Sequence, residues 1–323
     1  MELQGLDSER DGARRLELEG RVQRGVARQS PRLPPNGALG VGQSRHRTLD
    51  VTEYRAAGNG HPRPHLRGEP TTFWGKLRRP TDDTSLLEWH PLADHCADVA
   101  AVVEALLRLP VWRERLSRLA GKRLTDVGLA RLCVLAALHD IGKLNIGFQA
   151  KGRPELGTIA GHVIEALGAL FRSRGPFSCM DELAVWGDGT TALFVSALCH
   201  HGRPYHADAM ADTTWQATWW TPRGNLNPRV GAEDLLGRCR SWFPQAFEAD
   251  DSALPDAPAF SHAFAGLVML ADWMGSDTRF FQFSEAQDDD RMKFARPKAR
   301  EAVVAMALDF PLASRTDSES RTI

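Results

Sequence analysis

Between residues 92 and 273 the chain repeatedly sets histidine or aspartate into apolar runs with helical spacing. Five such segments stand out: His95 in PLADHCADVA, His139 and Asp140 in AALHDIGK, His162 in TIAGHVIEAL, His200 and His201 in SALCHHGRP, and Asp272 in VMLADWMG. One histidine on an apolar face is ordinarily a hydrogen-bonded core residue. Ionised aspartate is harder to dismiss, because it is seldom buried without a partner. Asp140 and Asp272 each close an apolar stretch, where bare burial would be costly. Taken jointly, the five segments call for a fold that brings these groups together around something positively charged.

The same periodicity predicts helices over about 92–108, 126–140, 158–171, 190–201 and 258–273. In the first, Val99, Val102, Val103, Leu106 and Leu107 form the apolar stripe. Gly142 and Gly202, just past the second and fourth, read as helix stops. Strand-like alternation is rare and no solenoid or propeller repeat is present, so the expected class is all-α, a helical bundle. Residues 175–190 read as a Gly-punctuated loop. Residues 212–245 resist assignment; Trp215, Trp219, Trp220 and Trp242 suit a small core under a long loop better than a base-stacking platform.

Residues 1–70 contain Gly, Pro, Arg and Gln clusters with little apolar periodicity and read as a disordered or low-complexity arm. The tail 313–323 is polar and reads the same way, leaving 71–312 as the folded domain. The charge of −1 is unevenly spread: residues 1–80 hold 15 Lys/Arg against 9 Asp/Glu, and the remainder 25 against 32. A broad DNA-coating surface would be basic, so any DNA contact by the body should be local and helped by bound cations. Neither a membrane span nor a secretory signal is evident. The five cysteines form no C-x-x-C pair, which fits a reduced, cytoplasmic setting.

Imidazoles mixed with carboxylates suit borderline divalent ions. An aspartate can bridge two ions, whereas a histidine binds one. Neighbouring helical residues point about 100° apart. The pairs His139-Asp140 and His200-His201 can therefore face one cluster only near helix ends. Two ions about 3.5–4 Å apart would activate a water and steady the attacking and leaving oxygens of a phosphodiester.

The ordered pattern H…HD…H…HH…D resembles the HD superfamily of metal-dependent phosphohydrolases. The strings FWGKLRR (Phe73–Arg79), WHPLADHCADVAAV, LHDIGKLNIGFQAK, GHVIEALGAL, CHHGRP and ADWMGSD more specifically resemble the HD nuclease domain of the type I CRISPR-associated helicase-nuclease, over residues 73 to about 283. The resemblance implies an HD-domain helical bundle holding two divalent metal ions, drawn from Mn, Fe, Co, Ni or Mg. It assigns His95, His139, Asp140 and Asp272 to a first metal site. His162, His200 and His201 fall to a second, with Asp140 bridging. Lys143 becomes a contact for the scissile phosphate and, with Asp140, a catalytic residue. Gln149 and Lys151 match a family pattern without an assigned role, and Ser276 and Asp277 border the expected DNA channel.

The implied activity is cleavage of single-stranded DNA in antiviral defence, together with a helicase and a CRISPR guide-RNA complex. No G-x-x-x-x-G-K-[ST] phosphate loop is present, since Gly75-Lys76 precedes Leu77 and Gly121-Lys122 precedes Arg123. That predicts a stand-alone nuclease subunit, or part of a longer gene, with a separate helicase subunit working in trans. An HD phosphohydrolase of nucleotides or phosphate esters and a catalytically silent CRISPR adaptor are the competing readings.

Overall fold

The computed structural model describes residues 65–66, 72–78, 86–170, 172, 175–202, 216–249, 253–284, 287–288 and 290–309. The expected tail lies outside these residues, as does the N-terminal arm apart from the backbone of 65–66. The helices are α1 (Leu92–Leu107), α2 (Pro110–Leu119), α3 (Asp126–Ala137), α4 (Val163–Leu170), α5 (Thr190–Leu198), α6 (Pro228–Trp242), α7 (Pro258–Gly275) and α8 (Arg291–Ala305). A small sheet precedes them: β1 (His65–Leu66), β2 (Trp74–Arg78) and β3 (Leu86–Pro91), in the order β1-β3-β2. The class is all-α, as expected, with the sheet as an addition that the residue pattern did not announce.

Helix α1 is the centre of the bundle. Of its sixteen residues only Glu104 is not buried, the condition of a helix covered on all sides. It packs against α8, α3 and α7, while α7 and α3 also pack on α5. Local chemistry starts several of these helices. Thr125 caps α3 by accepting from the Gly128 N–H at 3.1 Å. Asn227 caps α6 through the Arg229 and Val230 N–H groups, and Pro228 takes the first position, where a missing N–H costs nothing.

The helix ends differ from the sequence expectation in one systematic way. Helix α3 stops at Ala137 and α5 at Leu198, so His139-Asp140 and His200-His201 stand in the turns that follow. His162 precedes α4 rather than lying inside it; its carbonyl accepts from the Ala166 N–H at 3.1 Å. Gly202 has the left-handed φ of +73° that favours glycine at a helix exit. Gly142 does not; it sits in the 3₁₀ turn Ile141–Leu144. Its reason is steric, because a Cβ there would meet the His162 carbonyl oxygen at 1.9 Å.

The stretch read as a loop and the described part of the unassigned one also take definite form. Residues Ser178–Trp186 form a 3₁₀ helix rather than a loop, and α6 occupies most of 228–245. Trp220 and Trp242 are buried and Trp219 packs partly buried on the same core, as the core reading expected; Trp215 lies outside the described residues. Among the described residues no helix is long and apolar enough to cross a membrane.

Candidate metal centre

Five helix ends deliver the polar cluster. His95 comes from the first turn of α1, His139 and Asp140 from the turn after α3, and His162 from the start of α4. His200 and His201 follow α5, and Asp272 lies on the last turn of α7. The donor atoms fall into two groups, each within 4.8 Å: His95, His139, Asp140 and Asp272, and His162, His200 and His201. All seven residues singled out in the sequence therefore meet, divided as the resemblance implied.

Asp140 stands between the groups. Its Oδ2 lies 3.3 Å from His95 Nε2 and 3.2 Å from His139 Nε2. Its Oδ1 lies 3.3 Å from His162 Nε2 and 3.8 Å from His200 Nε2. Asp272 Oδ1 is 3.1 Å from His95 Nε2, and His201 Nε2 is 3.2 Å from His162 Nε2. Ligand atoms about 2.1 Å from one shared ion, at tetrahedral or octahedral angles, lie about 3.0–3.4 Å apart.

The orphaned atoms fit a pair of ions as well. Asp140 Oδ1, His95 Nε2 and His139 Nε2 are buried without a properly oriented hydrogen bond, an arrangement that normally carries a penalty, while Asp140 Oδ2 is met by the Lys143 ammonium. His139 and His200 each direct Nδ1 at the carbonyl three residues back, Ala136 at 2.8 Å and Ala197 at 3.0 Å. That bond holds the proton on Nδ1 and leaves Nε2 free as a ligand. Divalent cations thus suit the residues present.

Burial alone would raise the pKa of both carboxyls. Lys143 beside Asp140 and Lys76 beside Asp272, with the imidazoles, reverse this and hold both well below the usual carboxylate range. Burial pushes His95 and His162 down to about 4, and also lowers His200 and His201. His139 moves the other way, to about 9: its desolvation is outweighed by the neighbouring Asp140. The negative potential that draws a proton to His139 would equally draw a metal cation.

Lys143 is not a solvated loop residue. It is buried, with Nζ 2.5 Å from Asp140 Oδ2 and donating to the Gly75 carbonyl at 2.8 Å. Gln149 is fully buried and bonds the backbone of Trp74 and the Lys143 carbonyl. Lys151 places its ammonium 4.2 Å from the centre of the Phe148 ring, which packs edge-on to His162 at 5.2 Å. Ser276 donates to Asp272 Oδ1 at 3.3 Å, and Asp277 engages Arg279.

Two residues at the centre escaped the sequence reading. Lys76, on β2, donates to Asp272 Oδ1 at 2.8 Å. Asn145 donates to the Gly142 and Gly161 carbonyls at 2.7 and 2.8 Å, tying the turn after α3 to the approach of His162. Asn145 had a local signal, a polar residue between apolar ones in KLNIGF, and in the fold it is fully buried. Lys76 had none, since its partner lies 196 positions away. Of the other histidines, His90 is buried against Asp98 at 3.1 Å and His262 is exposed; neither joins the cluster.

Comparison with known proteins bears on residues 74–281, which match the family described as "Cas3, HD domain". The CRISPR-associated endonuclease/helicase Cas3 of Thermus thermophilus is 26% identical over 240 residues, covering 72% of this chain and 25% of that protein. The chain thus spans about a quarter of the length of this curated relative. A solved structure described as a CRISPR-associated protein shares the fold with a TM-score of 0.55 at 22% identity, over 74% of this chain and 27% of that one. The Thermus thermophilus Cas3 HD domain, solved in the presence of Ni²⁺, aligns at 24% identity with a TM-score of 0.49, over 67% of this chain and 85% of that one.

Proposed function

The chain belongs to the Cas3 HD-domain family, and from that premise we propose that it is a metal-dependent nuclease that hydrolyses phosphodiester bonds of single-stranded DNA. The observation that carries this reading is Asp140, which turns one oxygen to each of two ligand groups. His95, His139, Asp140 and Asp272 would hold one divalent ion. His162, His200 and His201, with the other oxygen of Asp140, would hold the second. When bound, such a pair supplies an activated water and positive charge on the attacking and leaving oxygens.

The chain's own residues prepare the rest. The Nδ1 bonds of His139 and His200 fix which ring nitrogen faces the centre. Lys143, held between Asp140 and the Gly75 carbonyl, is a preorganised positive charge for a phosphoryl oxygen. His201 is exposed and His162 half-buried while the other five residues are buried, so a DNA strand would enter from the His162–His201 side. The acidic balance of residues 81–323 favours a short contact at the ions over a broad electrostatic footprint. The whole-protein partners in this reading are a helicase and a CRISPR guide-RNA complex, in antiviral defence.

The test combines metal analysis with hydrolysis. Mn²⁺-loaded protein should cut a single-stranded oligonucleotide in preference to a panel of nucleotides, and Asp140→Ala should abolish both cutting and metal retention. Wild-type cutting by D140A would overturn the site assignment. Turnover of nucleotides but not of DNA would overturn the substrate.

A further inference from the structure

The metal centre is served by an element outside the helical bundle. Strand β2 pairs antiparallel with β3, and the register slips between Trp74 and Lys76, leaving Gly75 as a bulge. The bulge presents the Gly75 carbonyl to Lys143 Nζ, and the next residue sends its own ammonium to Asp272 Oδ1. Each carboxylate of the first ligand group thus carries its own lysine: Lys143 on Asp140 and Lys76 on Asp272.

Three contacts fix the strand where this is achieved. A Cβ on residue 75 would lie 2.9 Å from Leu92 Cα and 3.3 Å from His95 Cβ, so only glycine allows β2 to approach α1 so closely. The Leu92 N–H donates to the Phe73 carbonyl at 2.8 Å. Gln149 grips the Trp74 N–H and carbonyl from the other side. Lys76 is accordingly delivered by a built backbone rather than by a long side chain wandering over the surface.

Neutralising Asp272 is the plain explanation for Lys76, and it covers only the unliganded centre. Two divalent ions would already supply positive charge to Asp140 and Asp272, and a further ammonium beside them would be repelled. An anionic ligand reverses that sign. The Lys76 side chain keeps 15% of its surface exposed against 7% for Lys143, so it is the more reachable of the two cations.

The geometry points to Lys76 as a second phosphate-contacting residue, engaging a non-bridging oxygen of the scissile phosphodiester together with Lys143. This inference rests on the metal-dependent hydrolase reading above. Its ligand class is the phosphate anion, so inorganic phosphate serves as a probe independent of DNA.

The experiment uses the full chain loaded with Mn²⁺. Metal content is counted for wild type, Lys76→Gln, Lys76→Met and Lys76→Arg, phosphate affinity is measured by calorimetry, and kcat and KM are determined on a single-stranded oligonucleotide. Both neutral variants should keep their ions, bind phosphate about tenfold more weakly, and lose about 10²-fold in kcat with little change in KM. Lys76→Arg should recover most of both. Wild-type phosphate affinity and kcat in the neutral variant that folds would overturn the proposal. Loss of an ion would also overturn it, by showing that Lys76 serves to position Asp272. A wild-type protein that binds phosphate but leaves single-stranded DNA intact would refute only the substrate, and the phosphate arm would still decide the role of Lys76.

Discussion

Gln149 closes a two-point clamp on Trp74: its side-chain oxygen accepts from the Trp74 N–H at 3.1 Å, and its amide donates to the Trp74 carbonyl at 3.0 Å. The same amide reaches the Lys143 carbonyl at 2.7 Å. One buried side chain thereby joins the strand that carries Lys76 to the turn that carries Asp140 and Lys143. The Trp74 ring, 4.5 Å from Phe148, seals the joint.

Replacing Gln149 with Leu should therefore leave three buried backbone groups without partners. At about 1–3 kcal/mol for a stranded buried group, with some relief from water, the loss should be about 3 kcal/mol in urea unfolding. Gln149→Glu should do no better. It keeps the acceptor for the Trp74 N–H but turns a carboxylate oxygen on two carbonyls. A change under about 0.5 kcal/mol in both variants, the range of ordinary surface substitutions, would show the clamp to be redundant.

Gly142→Ala should empty one metal site selectively. The added Cβ would meet the His162 carbonyl oxygen at 1.9 Å and the Ala166 Cβ at 2.8 Å, so α4 must shift and carry His162 away. The first ligand group contains no residue from α4. Metal analysis should find one ion retained and one lost; two retained ions would mean that α4 yields without disturbing His162.

These contacts mark where the sequence was readable and where it was not. The cores of α1, α3, α5 and α7 were legible because their apolar residues recur at helical spacing. Their ends were not, because His139-Asp140 and His200-His201 extend the pattern while standing in turns. Helix α8 was not among the expected helices; Pro297 lies inside it, on the exposed side, where the carbonyl that loses its backbone partner can face solvent. The seven His and Asp residues were legible because polar groups in apolar segments are anomalous wherever they occur. Lys76 was not, because a lysine on a short strand is ordinary until Asp272 is brought beside it.

Away from the centre, Asp98 and Arg291 form a buried bidentate pair at 2.9 and 2.8 Å, with His90 on the same carboxylate and the Gln282 carbonyl on the guanidinium. The pair joins α1 to α8. Arg291→Met should cost about 3–5 kcal/mol by leaving a buried carboxylate without its guanidinium. The double variant Asp98→Asn with Arg291→Met should be more stable than that single one, and both should keep their metal stoichiometry. A double variant no better than Arg291→Met would contradict the charge argument.

The cysteines should be unreactive in the folded protein. Cys96, Cys133 and Cys239 are buried, and burial pushes the half-buried Cys179 and Cys199 thiols up to about 11. A raised pKa means less thiolate at a given pH: about a thousandth at pH 8, against about a tenth for a thiol at the unshifted value of 9.0. A disulfide reagent at pH 8 should show no fast phase, and all five thiols should appear only in denaturant. A rapid burst of one thiol would show that this cysteine is accessible and ionised, against the prediction.

The sharing of Asp140 predicts how the ions should fail. A ligand on one side only, His95 or His162, touches a single group, so His95→Ala and His162→Ala should each lose one ion and keep the other. Asp140→Ala should lose both, although it too is one substitution. Stability should follow occupancy, since each ion at a hundred times its Kd adds about 2.7 kcal/mol to the native state. Two ions would then raise Tm by about 10–20 °C for a domain of this size. The melting temperature in Mn²⁺ should accordingly fall in one step from wild type to either histidine variant and in two steps to Asp140→Ala, with chelator removing the metal-dependent part of the wild-type value. If D140A retained one ion and a histidine variant's melting temperature, the aspartate would belong to one site only, and the paired-ion arrangement would have to be abandoned.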